Sequence, residues 1–158
     1  MQYTSQKARF SRCKTYRFSL SRSWSGGSGE AVFIGLNPST ADQAEDDPTI
    51  RRCVGFAQAW GCNSMEIVNL FAYRATNPED LKRSAKPIGR DNDRWIAAAI
   101  SEAAESIACW GNHGAFLARS ESIRDRYPKL LCLGINASGE PKHPLYIKAT
   151  QTPFAYDG

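Results

Sequence analysis

Ala31-Val32-Phe33-Ile34-Gly35-Leu36-Asn37-Pro38-Ser39 decides the fold class. The four apolar residues that open it are far short of the roughly 20 a membrane span needs, and they do not alternate with polar ones. They read as a strand buried on both faces. Gly35 then permits close backbone approach, and Asn37 with Pro38 turns the chain over the strand end.

Downstream, strand and helix patterns alternate. Asp47-Pro48 is a cap and first-turn pair, and Ile50, Val54, Ala57 and Trp60 follow at helical spacing until Gly61. Met65 to Phe71 reads as a second buried strand, Asn77-Pro78-Glu79-Asp80 as a helix start, and Asp91 to Ala104 as a longer helix. Ser106 to Trp110 is a short third strand, Asn112 to Arg126 a helix and Leu130 to Ile135 a fourth strand. Upstream, Tyr16 to Arg22 alternates as an antiparallel edge, separated from Ala31 by the Gly-Gly-Ser-Gly turn that begins at Gly26. This order predicts a three-layer α/β/α sandwich around a central, mostly parallel four-stranded sheet. One domain over residues 1–158 is expected, with a basic amino-terminal arm or edge hairpin at about 1–29.

Composition narrows the function classes. Hydrophobic residues at 42% and charged residues at 23% are those of a globular chain, and no apolar run suits a membrane, so no membrane partner is expected. The amino terminus lacks the apolar core of a signal peptide, which predicts a cytoplasmic protein. Cys13, Cys53, Cys62, Cys109 and Cys132 are scattered without metal-ligand spacing, so most of them read as small core residues, and neither metal nor cofactor is expected. The net charge is +4, and Lys7, Arg9, Arg12, Lys14, Arg17 and Arg22 all precede the first acid, Glu30. With Tyr3, Phe10, Tyr16 and Phe18 interleaved, this arm is a candidate nucleic-acid surface through Arg9, Arg12 and Arg17; an ordinary solvated edge explains the same charges.

Ligands of such sheets bind beyond the carboxyl ends of the strands. There stand Gly35, Asn37, Pro38 and Ser39, then Asn69, then Trp110 and Asn112, and finally His143 with Leu145 and Tyr146. Asn69 is an amide inside an apolar strand, where an unpaired polar group costs about 1–3 kcal/mol. It can read the edge of a base with both donor and acceptor. Pro144 holds the backbone of His143 extended, so the ring can be aimed at a developing oxyanion. His113 lies at an expected helix start and ranks below His143.

In order and spacing, Gly35-Leu36-Asn37-Pro38, Val68-Asn69-Leu70, Ile107-Ala108-Cys109-Trp110-Gly111 and His143-Pro144 resemble the successive motifs of uracil-DNA glycosylases. The resemblance implies a water-positioning role for Asn37, base reading by Asn69 and contact of His143 with a base oxygen. The chain resembles more closely the family called domain of unknown function 1643. That likeness runs through Asn37-Pro38-Ser39-Thr40-Ala41-Asp42, Asp47-Pro48-Thr49-Ile50-Arg51-Arg52, Asn69-Leu70-Phe71 and His143-Pro144-Leu145-Tyr146. Asn37 stands where the faster uracil glycosylases have an aspartate, and Leu145-Tyr146 replaces their serine-containing continuation; Leu145 is suited to wedge into a base stack.

The leading expectation is therefore a nucleobase-recognising N-glycosidic hydrolase acting on nucleic acid or a nucleotide, with Asn37 and His143 catalytic. Gly35, Pro38, Ser39, Asn69, Trp110, Asn112, Leu145 and Tyr146 are its expected substrate contacts. A second is a binding module that keeps the pocket without the chemistry. A third places phosphate or metal chemistry on Asp46, Asp47, Arg51 and Arg52, although acids at a helix start are more often caps. Oligomeric state leaves no mark in the sequence.

Overall fold

The apolar run at Ala31 is the central strand of a seven-stranded sheet in a computed structural model that describes residues 2–157. The strands are β1 (Ser5–Phe10), β2 (Arg17–Ser23), β3 (Glu30–Gly35), β4 (Ser64–Asn69), β5 (Glu105–Ala108), β6 (Leu131–Cys132) and β7 (Phe154–Ala155). Their spatial order is β1-β2-β4-β3-β5-β6-β7. β4, β3, β5 and β6 run parallel, while β1, β2 and β7 add antiparallel edges. The sheet thus has seven strands rather than four. β1 and β2 form the hairpin at the edge, within the region expected for one, whereas β7 escaped the sequence reading because it is two exposed residues.

β3 shows why the fold is mixed α/β. Ala31 and Phe33 point to a core shared with Ile50, Cys53, Val54, Phe56 and Ala57 of α1 (Pro48–Ala59). Val32 and Ile34 point to the opposite core, with Ile96 and Ala99 of α3 (Asn92–Glu102) and Ile123 of α4 (Arg119–Arg126). Leu81 of the short α2 (Pro78–Arg83) joins that second core. The period of two therefore splits one strand between two cores, each fully buried large side chain contributing about 1.5–3 kcal/mol. Four cysteines are buried among these residues and Cys13 is exposed.

Helix starts follow the sequence. Asp47 accepts the Ile50 amide at 2.9 Å with Pro48 next, and Asn77 accepts the Asp80 amide at 3.0 Å with Pro78 next. The expected helix from Asn112 to Arg126 is instead a 3-10 segment, Asn112–Ala118, broken at Phe116 and Leu117, followed by α4. Gly114 of that segment lies against the Trp110 ring, where a Cβ would come within 2.0 Å of a ring carbon. No helix among the described residues is long and apolar enough to cross a membrane.

Candidate functional site

Beyond the carboxyl ends of β3, β4 and β5 lies a cavity of about 530 Å³. Its lining brings together Gly35, Asn37, Pro38, Ser39, Asn69, Trp110, His143, Leu145 and Tyr146, all expected from the sequence. Asn69, the last residue of β4, is 2% exposed. Its Oδ1 lies where Gly35 leaves space: a Cβ on Gly35 would sit 2.8 Å from that oxygen. Its Nδ2 has no hydrogen-bond partner in the protein.

The strand end carrying Asn69 is clamped from below. Asn92 Nδ2 donates to the carbonyls of Asn69 and Leu70 at 2.9 and 3.3 Å, and Arg119 donates twice to the Leu70 carbonyl at 3.0 and 2.7 Å. Arg119 is itself paired with Asp93 at 2.7 Å. A fixed backbone with an unpaired side-chain donor is the arrangement expected where a ligand supplies the acceptor.

His143 is held in one tautomer. Its Nδ1 accepts the Leu145 amide at 3.2 Å, so the proton of the neutral ring sits on Nε2. Burial lowers its pKa below the ordinary value of 6.5, with the Asp47 charge opposing that shift, so the ring is neutral at pH 7. Arg52 of α1 fastens this turn by donating to the carbonyls of Pro144 and Ile147 while its guanidinium stacks on Phe56. At the rim, Leu145 and Tyr146 are 46% and 83% exposed. Trp110 forms part of the wall, its Nε1 donating to Glu140 at 2.9 Å.

The amide of Asn37 is oriented by its own neighbours. Its Nδ2 faces the carbonyls of Pro38, Tyr73 and Ala75 at 3.1, 3.4 and 2.9 Å, which leaves Oδ1 to accept from a ligand or water. Asp47 is the one carboxylate in the cavity lining among the described residues. Its Oδ1 caps α1, and its charge is felt by both His143 and Arg17. The sequence offered Asp47 as a cap and, ranked last, as a phosphate or metal contact, because a helix-start acid carries the same signature in either role.

Arg17 departs furthest from expectation. Read as an exposed arm residue, it is 2% exposed in β2 and lines the cavity. Antiparallel pairing of β2 with β4 turns this position toward the strand ends. Burial lowers its pKa to about 10, the Asp47 charge opposing the shift and those of Arg74 and Arg22 adding to it. Arg9 and Arg12 do lie exposed, on β1 and the turn after it, away from the cavity. Asn112 is outside the cavity as well: its Oδ1 accepts from Asn136 and Ser138 at 3.0 and 2.6 Å, joining two loops. His113, ranked low, is in the lining and exposed.

The acidic loop after Asn37 is largely neutralised from within. Arg22, fully buried, pairs with Asp46 at 2.9 Å and donates to the carbonyls of Asp42 and Glu45, while the Tyr3 hydroxyl donates to Asp46. Asp42 accepts the amides of Ala44 and Glu45, which lower its pKa. The basic hairpin therefore serves in part to hold this loop over the sheet edge.

Fold and site together define a mixed α/β protein with a polar cavity at the ends of its parallel strands. Residues 17–145 match the family described as Protein of unknown function (DUF1643), and the chain belongs to it. No curated protein and no solved structure matches the chain.

Proposed function

We propose that the cavity binds a nucleobase of a nucleic acid or nucleotide and hydrolyses its N-glycosidic bond. The observation that carries this reading is the meeting of Asn37, Asn69 and His143 in one cavity, with the His143 ring neutral and its Nε2 proton free to donate. The parallel order β4-β3-β5-β6 with helices on both faces supports the uracil-DNA-glycosylase-like three-layer architecture that the motifs imply.

In this reading Asn69 takes the base edge through its unpaired Nδ2. As the C1′–N bond breaks, its electron pair passes to the base, and His143 Nε2–H stabilises the charge that spreads to a base carbonyl oxygen. A water held by Asn37 Oδ1 attacks C1′ and yields its proton to Asp47, whose carboxylate also offsets the oxocarbenium charge. Asp47 thereby supplies the carboxylate that Asn37 cannot. In the same reading the exposed Leu145 and Tyr146 fill the gap left by an extruded base.

The test is incubation with single- and double-stranded oligonucleotides and free nucleotides carrying uracil, mismatched and modified bases, with released base detected by mass. Release by the wild type and its loss in Asp47→Asn is the expected result. One observation favours a second reading, a binding module: the Asn37 amide is tied to three carbonyls as a structural brace would be. Base binding without release from any substrate selects that reading.

A further inference from the structure

Three arginines among the described residues are almost wholly buried, Arg17, Arg22 and Arg119. Two of them are neutralised in the fold. Arg22 has Asp46 at 2.9 Å together with the carbonyls of Ser21, Asp42 and Glu45. Arg119 has Asp93 at 2.7 Å and the Leu70 carbonyl. Arg17 donates to a single carbonyl, that of Ala41 at 3.0 Å. Its Nε is buried without a partner, and among the described residues no carboxylate lies within ion-pair distance of it.

A buried guanidinium left this way is costly, and a protein that needed only an apolar or paired residue there would have one. The three positions differ in one further respect: Arg17 lines the strand-edge cavity, and Arg22 and Arg119 do not. The other unpartnered buried donor of the lining is Nδ2 of Asn69. Two orphaned donors, one of them a permanent cation, therefore belong to the same cavity. The charges around them do not cancel the site. Asp47 acts on Arg17 from beyond ion-pair distance, while Arg74 and Arg22 add positive potential.

We propose that Arg17 and Asn69 form an anion-reading floor, so that the ligand presents a negatively charged oxygen to Arg17. This rests on the nucleobase reading for the ligand's class and deepens it: the preferred base is one that is acidic, or that carries its charge as it leaves. The chemistry is that of an oxyanion beside a guanidinium, and a phosphate group is the other source of it.

Calorimetric titration of the full chain with barbiturate, a pyrimidine that is an anion at neutral pH, with uracil, its neutral counterpart, and with inorganic phosphate tests the proposal. The wild type is expected to bind barbiturate about 10- to 100-fold more tightly than uracil, the worth of one charge-assisted hydrogen bond. Arg17→Gln should erase that ratio and Arg17→Lys keep part of it. The ratio in the wild type is itself a test that needs no variant to fold. Binding of phosphate but of neither pyrimidine, abolished by Arg17→Gln, keeps the anion site and overturns the nucleobase reading. Equal affinity for barbiturate and uracil without phosphate binding overturns the anion site and leaves the nucleobase reading standing. A barbiturate preference that survives Arg17→Gln also overturns the anion site, and binding of no probe overturns both.

Discussion

The strand-edge cavity of about 530 Å³ and a second concavity of about 560 Å³, walled by α4 and the segments around Tyr127 and Gly139, differ in whether their polar groups are paired. In the second, Glu140 accepts from Trp110 and Ser120, both at 2.9 Å, the Tyr156 hydroxyl donates to the Gly139 carbonyl at 2.7 Å, and Arg124 stacks on the Tyr156 ring. In the first, Asn69 and Arg17 keep buried donors without partners, and Asn37 keeps an accepting oxygen. Volume does not separate a site from a surface dent here. Unfinished hydrogen bonding does, because such groups cost stability until a ligand completes them.

The contrast is broken most forcefully at His143. His143→Ala should lower base release on the order of 10²–10³-fold with little change in KM, since its donor acts on charge that develops during reaction. Glu121→Gln in the second concavity should leave steady-state rates unchanged. Comparable losses in both variants would mean that the two concavities were wrongly distinguished.

Asn69→Ala sharpens the same contrast in binding. Affinity for the correct base should fall by about 1–3 kcal/mol and discrimination relax, while the ligand-free protein loses little stability because Nδ2 has no partner to lose. Tyr156→Phe should do the reverse, costing about 0.5–1.5 kcal/mol of folding stability through its bond to Gly139 with base affinity intact. Calorimetry and denaturant unfolding separate the two.

A smaller effect concerns pH. The folded pKa of His143 lies below its ordinary 6.5, so its contribution to stability is present above that value and is lost as pH falls through the folded pKa. Unfolding free energies measured on the acid side of neutrality should therefore depend less on pH in His143→Gln than in the wild type. An identical slope would place the ring in solvent.

The smallest expected change is on the hairpin. Replacing Arg9 and Arg12 by alanine should reduce the salt slope of oligonucleotide binding by about 1 for each phosphate these side chains neutralise, with no effect on free-base affinity. An unchanged slope would return these two residues to an ordinary solvated edge.

Sequence periodicity located the parallel core and the strand ends that supply Gly35, Asn37, Asn69 and Trp110 to the cavity, because a strand buried on both faces and a capped helix each leave a local signature. Asn69 was legible for the same reason, an amide among apolar residues. Arg17 was not: the alternation from Tyr16 to Arg22 puts it on the polar side of its strand, and its burial depends on β2 pairing with β4, a strand distant in the chain. Asp47 was legible as a cap, which it is, and as a last-ranked phosphate or metal contact, but not as a neighbour of His143, because the turn of residues 143–146 that shares its cavity is fixed by Arg52 through long-range bonds. Asn112 misled because position at a strand end does not say whether an amide turns to the cavity or to the neighbouring loop, as this one does toward Asn136 and Ser138.

The most direct measurement is a crystal structure of the protein with a nucleotide whose base is joined to the sugar by a carbon–carbon bond, which can be bound but not hydrolysed. The base should lie in the strand-edge cavity with an acceptor atom within about 3 Å of Asn69 Nδ2 and a carbonyl oxygen at a similar distance from His143 Nε2. A base seated in the concavity beside Tyr156, or one that leaves Asn69 Nδ2 unpaired, would contradict the account.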